Sequence, residues 1–149
     1  HTAALLASSD DVEAQFYEAL QRGDIEHASE LQLRIWVDGP HREPEQVDAR
    51  IRARAAAMNR VFVGNGTWAI ADMQPLDPLA PPAVGRLGDI QARTLVITGA
   101  LDDGEILRAA DLLTASIAGA TRVDIPDCAH VPSLERPDAF NRALLEFLG

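Results

Sequence analysis

Two short stretches of this sequence carry side chains whose chemistry depends on meeting. One is Gly99-Ala100-Leu101-Asp102-Asp103, which follows the apolar run Leu95-Val96-Ile97. The other is Ile125-Pro126-Asp127-Cys128-Ala129-His130-Val131-Pro132, in which a histidine sits between prolines. That is a poor place to bury a core side chain and a good place to hold an imidazole over a cleft. A carboxylate that accepts the Nδ1–H of an imidazole fixes its tautomer, leaves Nε2 as the basic nitrogen and stabilises the imidazolium. Such a pair can take a proton from one group and return it to another.

The elements around these stretches predict that they do meet. Residues 94–98 read as a buried strand ending at Gly99. "GEILRAADLLTASI" reads as a helix with Ile106, Ala110, Leu113 and Ile117 inward, stopped by Gly119. "TRVDI", residues 121–125, reads as a second strand, and Pro137 opens a last helix with Phe140, Leu144 and Phe147 inward. Strand, helix, strand, helix with short connections predicts a right-handed crossover and a pair of parallel strands. In open parallel sheets, ligands and reactive groups gather beyond the carboxyl ends of the strands, and adjacent strands lie ~5 Å apart. A carboxylate oxygen of Asp102 is therefore expected within hydrogen-bonding reach of His130. Asp103 competes for this role, and either aspartate can instead cap the helix that follows.

Upstream, residues 10–63 read as helical. A first helix can start at Asp10, with Glu13 completing a capping box, and Val12, Phe16 and Leu20 form its stripe. Gly23-Asp24 ends it and caps a second helix, "IEHASELQLRIWV", with Ile25, Leu31, Ile35 and Trp36 roughly on one face. A third helix runs through "EQVDARIRARAAAMNRV", with Val47, Ile51, Ala55 and Met58 inward. Residues 64–92 read as irregular, because Gly64-Asn65-Gly66 signals a turn and Pro75, Pro78, Pro81 and Pro82 break any long element. The fold class is α/β, in three regions: a helical region 1–63, a connector 64–92 and a βαβα region 93–149.

"TLVITGALDD" followed by "AHVPSLERPDAFNRALLEFL" resembles the C-terminal end of an α/β-hydrolase. In that family a strand ends in G-x-x-D, matched by Gly99 and Asp102, and the histidine lies in a G/A-H-x-P-x-x-E-x-P frame, matched by Ala129, His130, Pro132, Glu135 and Pro137. The helical region, with "WVDGP" at 36–40 and "MNRVF" at its end, resembles the cap of small esterase- and lactonase-like members. The resemblance implies two parallel strands with flanking helices, preceded by a helical cap. It implies that Asp102 orients His130 as general base in hydrolysis of a small ester, lactone or similar carbonyl substrate. It also suggests Trp36 and Val131 as substrate contacts, although Trp36 serves equally as a core or hinge residue. Glu135 is expected to cap or to form a salt bridge, Cys128 to pack in the interior and Ser133 to lie in a turn.

One feature of the family pattern is missing. The family places a nucleophile in G-x-S-x-G before the cap. Ser8, Ser9, Ser29, Ser116 and Ser133 all lack that frame, as does Cys128, and no His-Gly oxyanion loop is present. His1 is not a natural start, so the expectation is a C-terminal piece of a hydrolase, inactive alone. The alternative is a non-catalytic binding or interaction module derived from the same fold. The 94–98 edge and the apolar helix faces predict self-association or capture of the missing N-terminal half.

Composition narrows the partners. The formal charge is −10, from 13 basic and 23 acidic residues, which disfavours nucleic acid. No apolar run reads as a membrane span and "HTAALLASSD" does not read as a signal peptide, so a cytoplasmic location is expected. The single cysteine excludes an internal disulfide. His1, His27, His41 and His130 lack metal-ligand spacing, and Gly64-Asn65-Gly66 is no dinucleotide fingerprint, so no metal and no cofactor are expected.

Overall fold

In the first of the two units of the chain, residues 1–70, a helix begins one residue before the expected Asp10. This computed structural model describes residues 9–66 and 82–149, with side chains from residue 11 onward. The expectations placed on Asp10's side chain, Pro75, Pro78 and Pro81 fall outside the described residues. Helix α1 spans Ser9–Gln21 and α2 spans Ile25–Leu33. Gly23, at φ +70, reverses the chain between them, and the Asp24 carboxylate caps α2 by accepting the His27 N–H at 3.1 Å. Phe16, Ala19, Ala28, Leu31 and Val63 form the core here, with Val12, Leu20 and Ile25 packed against it.

The second helix does not continue through Val37 as its apolar spacing predicts. At Leu33 it gives way to a wide π-type turn, Arg34–Asp38, closed by a Gly39 N–H to Arg34 carbonyl bond of 3.2 Å. Gly39 leaves that turn at φ +74, a conformation that favours glycine. Asp38 at the end of the turn is fully buried. Arg52 meets it with Nε at 2.9 Å and Nη2 at 3.0 Å. The same guanidinium reaches Glu30 at 2.6 Å. These bonds, to Asp38 first and Glu30 second, raise the pKa of Arg52 against the opposing effect of burial. Arg42 closes the turn from another side, donating to the carbonyls of Asp38 and Val37 at 2.9 and 2.7 Å. An apolar period cannot register a buried carboxylate held by an arginine from another helix.

The third helix starts later than expected. Pro44–Gln46 is a 3₁₀ turn, and α3 spans Ala49–Gly64 because Asp48 caps it, accepting the Arg50 N–H at 2.8 Å. Val47 is buried ahead of the helix and not on its stripe. Met58, expected inward, is 63% exposed. The inward position belongs to its neighbour Asn59, whose amide donates to the carbonyl and hydroxyl of buried Ser29 at 3.2 and 3.1 Å. A polar contact between α2 and α3 thus displaces the apolar stripe by one residue.

In the second unit, residues 71–149, the later part of the expected irregular connector is ordered. Ala83–Asp89 forms a 3₁₀ helix, entered from Pro82. Strand β1 spans Leu95–Gly99 and β2 spans Thr121–Ile125; they pair in parallel, from Leu95 opposite Thr121 to Gly99 opposite Ile125. Helix α4, Gly104–Ser116, is the crossover and packs on both strands. Its last turn delivers Ile117 into the interior, and Gly119 at φ +72 turns the chain toward β2. A short helix α5, Pro132–Glu135, leads into α6, Pro137–Leu148, which also packs on both strands. Arg93 ties the start of β1 to the end of α6, donating to the Phe147 carbonyl while its guanidinium lies 4.7 Å from the Phe147 ring centre.

The ion pairs of the first unit should differ sharply in their effect on stability. Arg52→Ala strips the main partner from a buried carboxylate, and a loss of about 3–5 kcal/mol is expected. Arg60→Ala removes an exposed pair with Glu26, and a loss below about 1 kcal/mol is expected. Urea unfolding followed by circular dichroism measures both. Equal losses would show that Asp38 is served adequately without Arg52.

Candidate active site

The carboxyl ends of β1 and β2 are built around each other. Beyond β1, the Ala100 N–H donates to the Ile125 carbonyl at 2.8 Å, and the Leu101 N–H donates to the Cys128 carbonyl at 3.0 Å. The two loops therefore continue the parallel pairing past the strands. Gly99 is where they cross. A methyl at that position would run into the carbonyl oxygens of Cys128 and Ala129, so the approach needs a residue without Cβ. The Asp102 N–H then closes the turn onto the Gly99 carbonyl at 3.2 Å.

The two aspartates divide the tasks that the sequence left open between them. Asp103 is the N-cap of α4, its carboxylate accepting the Glu105 N–H at 2.8 Å. Asp102 turns inward, with its side chain only 3% exposed. Its Oδ1 accepts the Asp103 N–H at 2.8 Å. Its Oδ2 lies 2.8 Å from Nδ1 of His130. That is the contact expected from the loops at adjacent strand ends.

The histidine loop is held in shape by its own backbone and by what it buries. Asp127 takes φ +56, a left-handed conformation that aspartate tolerates better than most residues. Cys128 and Ala129 are fully buried, and the Cys128 thiol sits 3.4 Å from the Ile125 carbonyl. The Ala129 N–H donates to the Glu135 carboxylate at 2.9 Å, so Glu135 caps the loop from inside. Arg136 donates to the Asp127 carbonyl at 3.2 Å. His130 itself keeps 39% of its side-chain exposure.

A carboxylate can only accept, so the Nδ1 of neutral His130 carries the proton and Nε2 presents the lone pair. The pKa of His130 is raised from the ordinary 6.5, chiefly by the hydrogen bond to Asp102, with partial burial opposing and the Asp102 charge assisting. A base of this kind, partly exposed and backed by a buried acid, is suited to accepting and returning a proton near neutral pH.

Val131 follows His130 directly, is half-buried and precedes the first turn of α5. Trp36 lies half-buried in the wide turn of the other unit. Ser133 is exposed within α5, and Ser29 is buried between α2 and α3. Among the described residues, no three His, Cys, Asp or Glu side chains are grouped to hold a metal, and no helix is long and apolar enough to cross a membrane. Sequence reasoning missed the polar clamp behind the site. Thr98 and Asp124 face each other in register, and the Thr98 hydroxyl donates to the Asp124 carboxylate, which Arg122 also meets at 2.7 Å. The Thr98 bond first, and Arg122 after it, lower the pKa of Asp124 against burial. The polar residues at 98, 122 and 124 were the available signal.

Because the folded state raises the His130 pKa, the pair contributes stability fully below pH 6.5 and loses it as pH rises through the folded pKa. A proton–carbon NMR titration of the His130 ring should give a midpoint above 6.5. Asp102→Asn should bring it to about 6.5 or lower. An unchanged midpoint in that variant would contradict the assigned cause.

No family model matches the sequence. Solved structures do. The chain is similar to a hydrolase from Pseudomonas aeruginosa PA01, with 28% identity and a TM-score of 0.62 over 98% of this chain and 52% of that one. It is similar to a thermophilic esterase, with 25% identity and a TM-score of 0.63 over 88% of this chain and 48% of that one. It is also similar to Est816, described as an N-acyl homoserine lactone degrading enzyme, with 27% identity and a TM-score of 0.61 over 89% of this chain and 51% of that one. The chain thus spans about half the length of the solved structures it matches. Its parallel strand pair, crossover helix and flanking helices have the fold of the C-terminal part of an α/β-hydrolase.

Proposed function

We propose that this chain supplies the proton-transfer half of a hydrolase active site acting on a small ester, lactone or similar carbonyl substrate. The observation that carries the reading is the 2.8 Å contact between Asp102 and His130 at the carboxyl ends of paired parallel strands. The hydrolase, the esterase and the lactone-degrading enzyme among the similar structures support the substrate class.

Nε2 of His130 takes the proton of an attacking hydroxyl as it adds to the substrate carbonyl. Asp102 stabilises the imidazolium so formed and holds the ring in its tautomer. The imidazolium then protonates the leaving alkoxide, and the sequence repeats with water to release the acid. No serine of this sequence lies in a G-x-S-x-G frame, so the reading assigns nucleophilic attack to a group outside it. Trp36 and Val131 are proposed as apolar substrate contacts. Among the described residues β1 pairs with β2 alone, and the reading assigns its other edge to a strand of a second copy or of a nucleophile-bearing segment.

Three measurements test this reading together. The chain alone should show no His130-dependent hydrolysis of 4-nitrophenyl acetate, and it should sediment above monomer mass. In a protein that joins it to a nucleophile, His130→Ala or Asp102→Asn should lower kcat by about 10³–10⁴-fold. Turnover by the chain alone that is lost in His130→Ala would reveal a nucleophile within it. Full activity of His130→Ala in the joined protein would remove this chain's catalytic role and favour a binding module, full activity of Asp102→Asn would remove the role of Asp102, and a stable monomer would remove the edge assignment.

A further inference from the structure

We propose that Glu135 is a positioning residue for His130, acting through the backbone of the residue before it. The inference rests on the Asp102–His130 reading above. Glu135 is 7% exposed, and its Oε1 accepts the Ala129 N–H at 2.9 Å from within the loop. Ala129 is fully buried, so its N–H cannot turn to bulk water if that acceptor is lost. It would have to find another partner by rotating the Cys128–Ala129 peptide.

That rotation would move His130. The peptide is held on one side by the Leu101 N–H on the Cys128 carbonyl, at 3.0 Å. On the same side Gly99 brings the β1 loop close to the Cys128 and Ala129 carbonyl oxygens. On the other side Glu135 holds it. The segment also closes on itself, because the Val131 carbonyl accepts the N–H groups of Leu134 and Glu135 at 2.9 and 3.0 Å. His130 is therefore bracketed by Ala129 and Val131, both anchored to Glu135, and its ring reaches Asp102 from that frame. A bond to a carboxylate is stronger than one to a neutral acceptor, which suits a loop that must hold an angle.

The role is acceptance of a hydrogen bond and not delivery of charge. The causes that raise the His130 pKa are its bond to Asp102 and the Asp102 charge. An amide at 135 should therefore serve where an apolar side chain of similar size does not.

The test is the NMR titration midpoint of His130 in the chain with Glu135→Gln and Glu135→Met, with β1 and β2 amide resonances confirming the fold. Gln should keep the wild-type midpoint above 6.5, and Met should lower it to about 6.5. A wild-type midpoint in a folded Glu135→Met would reduce Glu135 to packing. A midpoint of about 6.5 in Glu135→Gln would show that charge, not position, matters, and would overturn the proposal. If Met does not fold, Gln and the exchange of the Ala129 amide in the wild type still decide: slow exchange is expected, and fast exchange overturns it. Asp102→Asn is the separate control, since an unchanged midpoint there defeats the pair itself and leaves Glu135 unjudged.

Discussion

A buried carboxylate bonded to a partly exposed imidazole constrains everything around it. Asp102 could not be buried at 3% side-chain exposure without donors for its oxygens. Its own turn supplies one through the Asp103 N–H, and His130, 28 residues further along the chain, supplies the other. Bringing the two together requires parallel strands in register, a crossover of the right length and a glycine where the loops touch. The pairing of β1 with β2 and the tight crossing at Gly99 meet those needs. The Thr98–Asp124 bond joins the same two strands by their side chains.

The first unit handles a similar difficulty with a different partner. Asp38 is fully buried, and the planar fork of Arg52 meets both its oxygens while also holding Glu30. This ion pair makes a wide helical turn tolerable where an apolar face alone would have continued the α-helix. It fixes the segment that carries Trp36. In both units, then, the irregular backbone beside a candidate residue is stabilised by a carboxylate satisfied from inside.

The parts of this structure legible in the sequence were those set by apolar runs and turn residues. Residues 94–98 read as a buried strand from a continuous apolar run ending at Gly99, and residues 121–125 as a second strand between Gly119 and Pro126. That a carboxylate of the 99–103 loop would meet His130 followed from strand order, and Asp102 was preferred from the G-x-x-D resemblance. Strand order does not choose between Asp102 and Asp103, because that depends on which carboxylate faces inward once the turn forms, and on which one the first N–H groups of α4 claim. Met58 was read as core because spacing ranks it with Ala55, yet Asn59 took the inward place through a bond to Ser29. Glu135 was legible as a capping residue, but its target, the Ala129 N–H, depends on a loop closing back on itself. Pairwise polar choices of this kind leave no period to read.

The central claim is that Asp102 dictates which nitrogen of His130 holds the proton. Nitrogen-15 chemical shifts of the His130 ring, recorded well above its titration midpoint, measure that directly. The account predicts a single Nδ1–H tautomer with an unprotonated Nε2. A dominant Nε2–H tautomer would contradict it, since Nδ1 would then have no proton to give to Asp102.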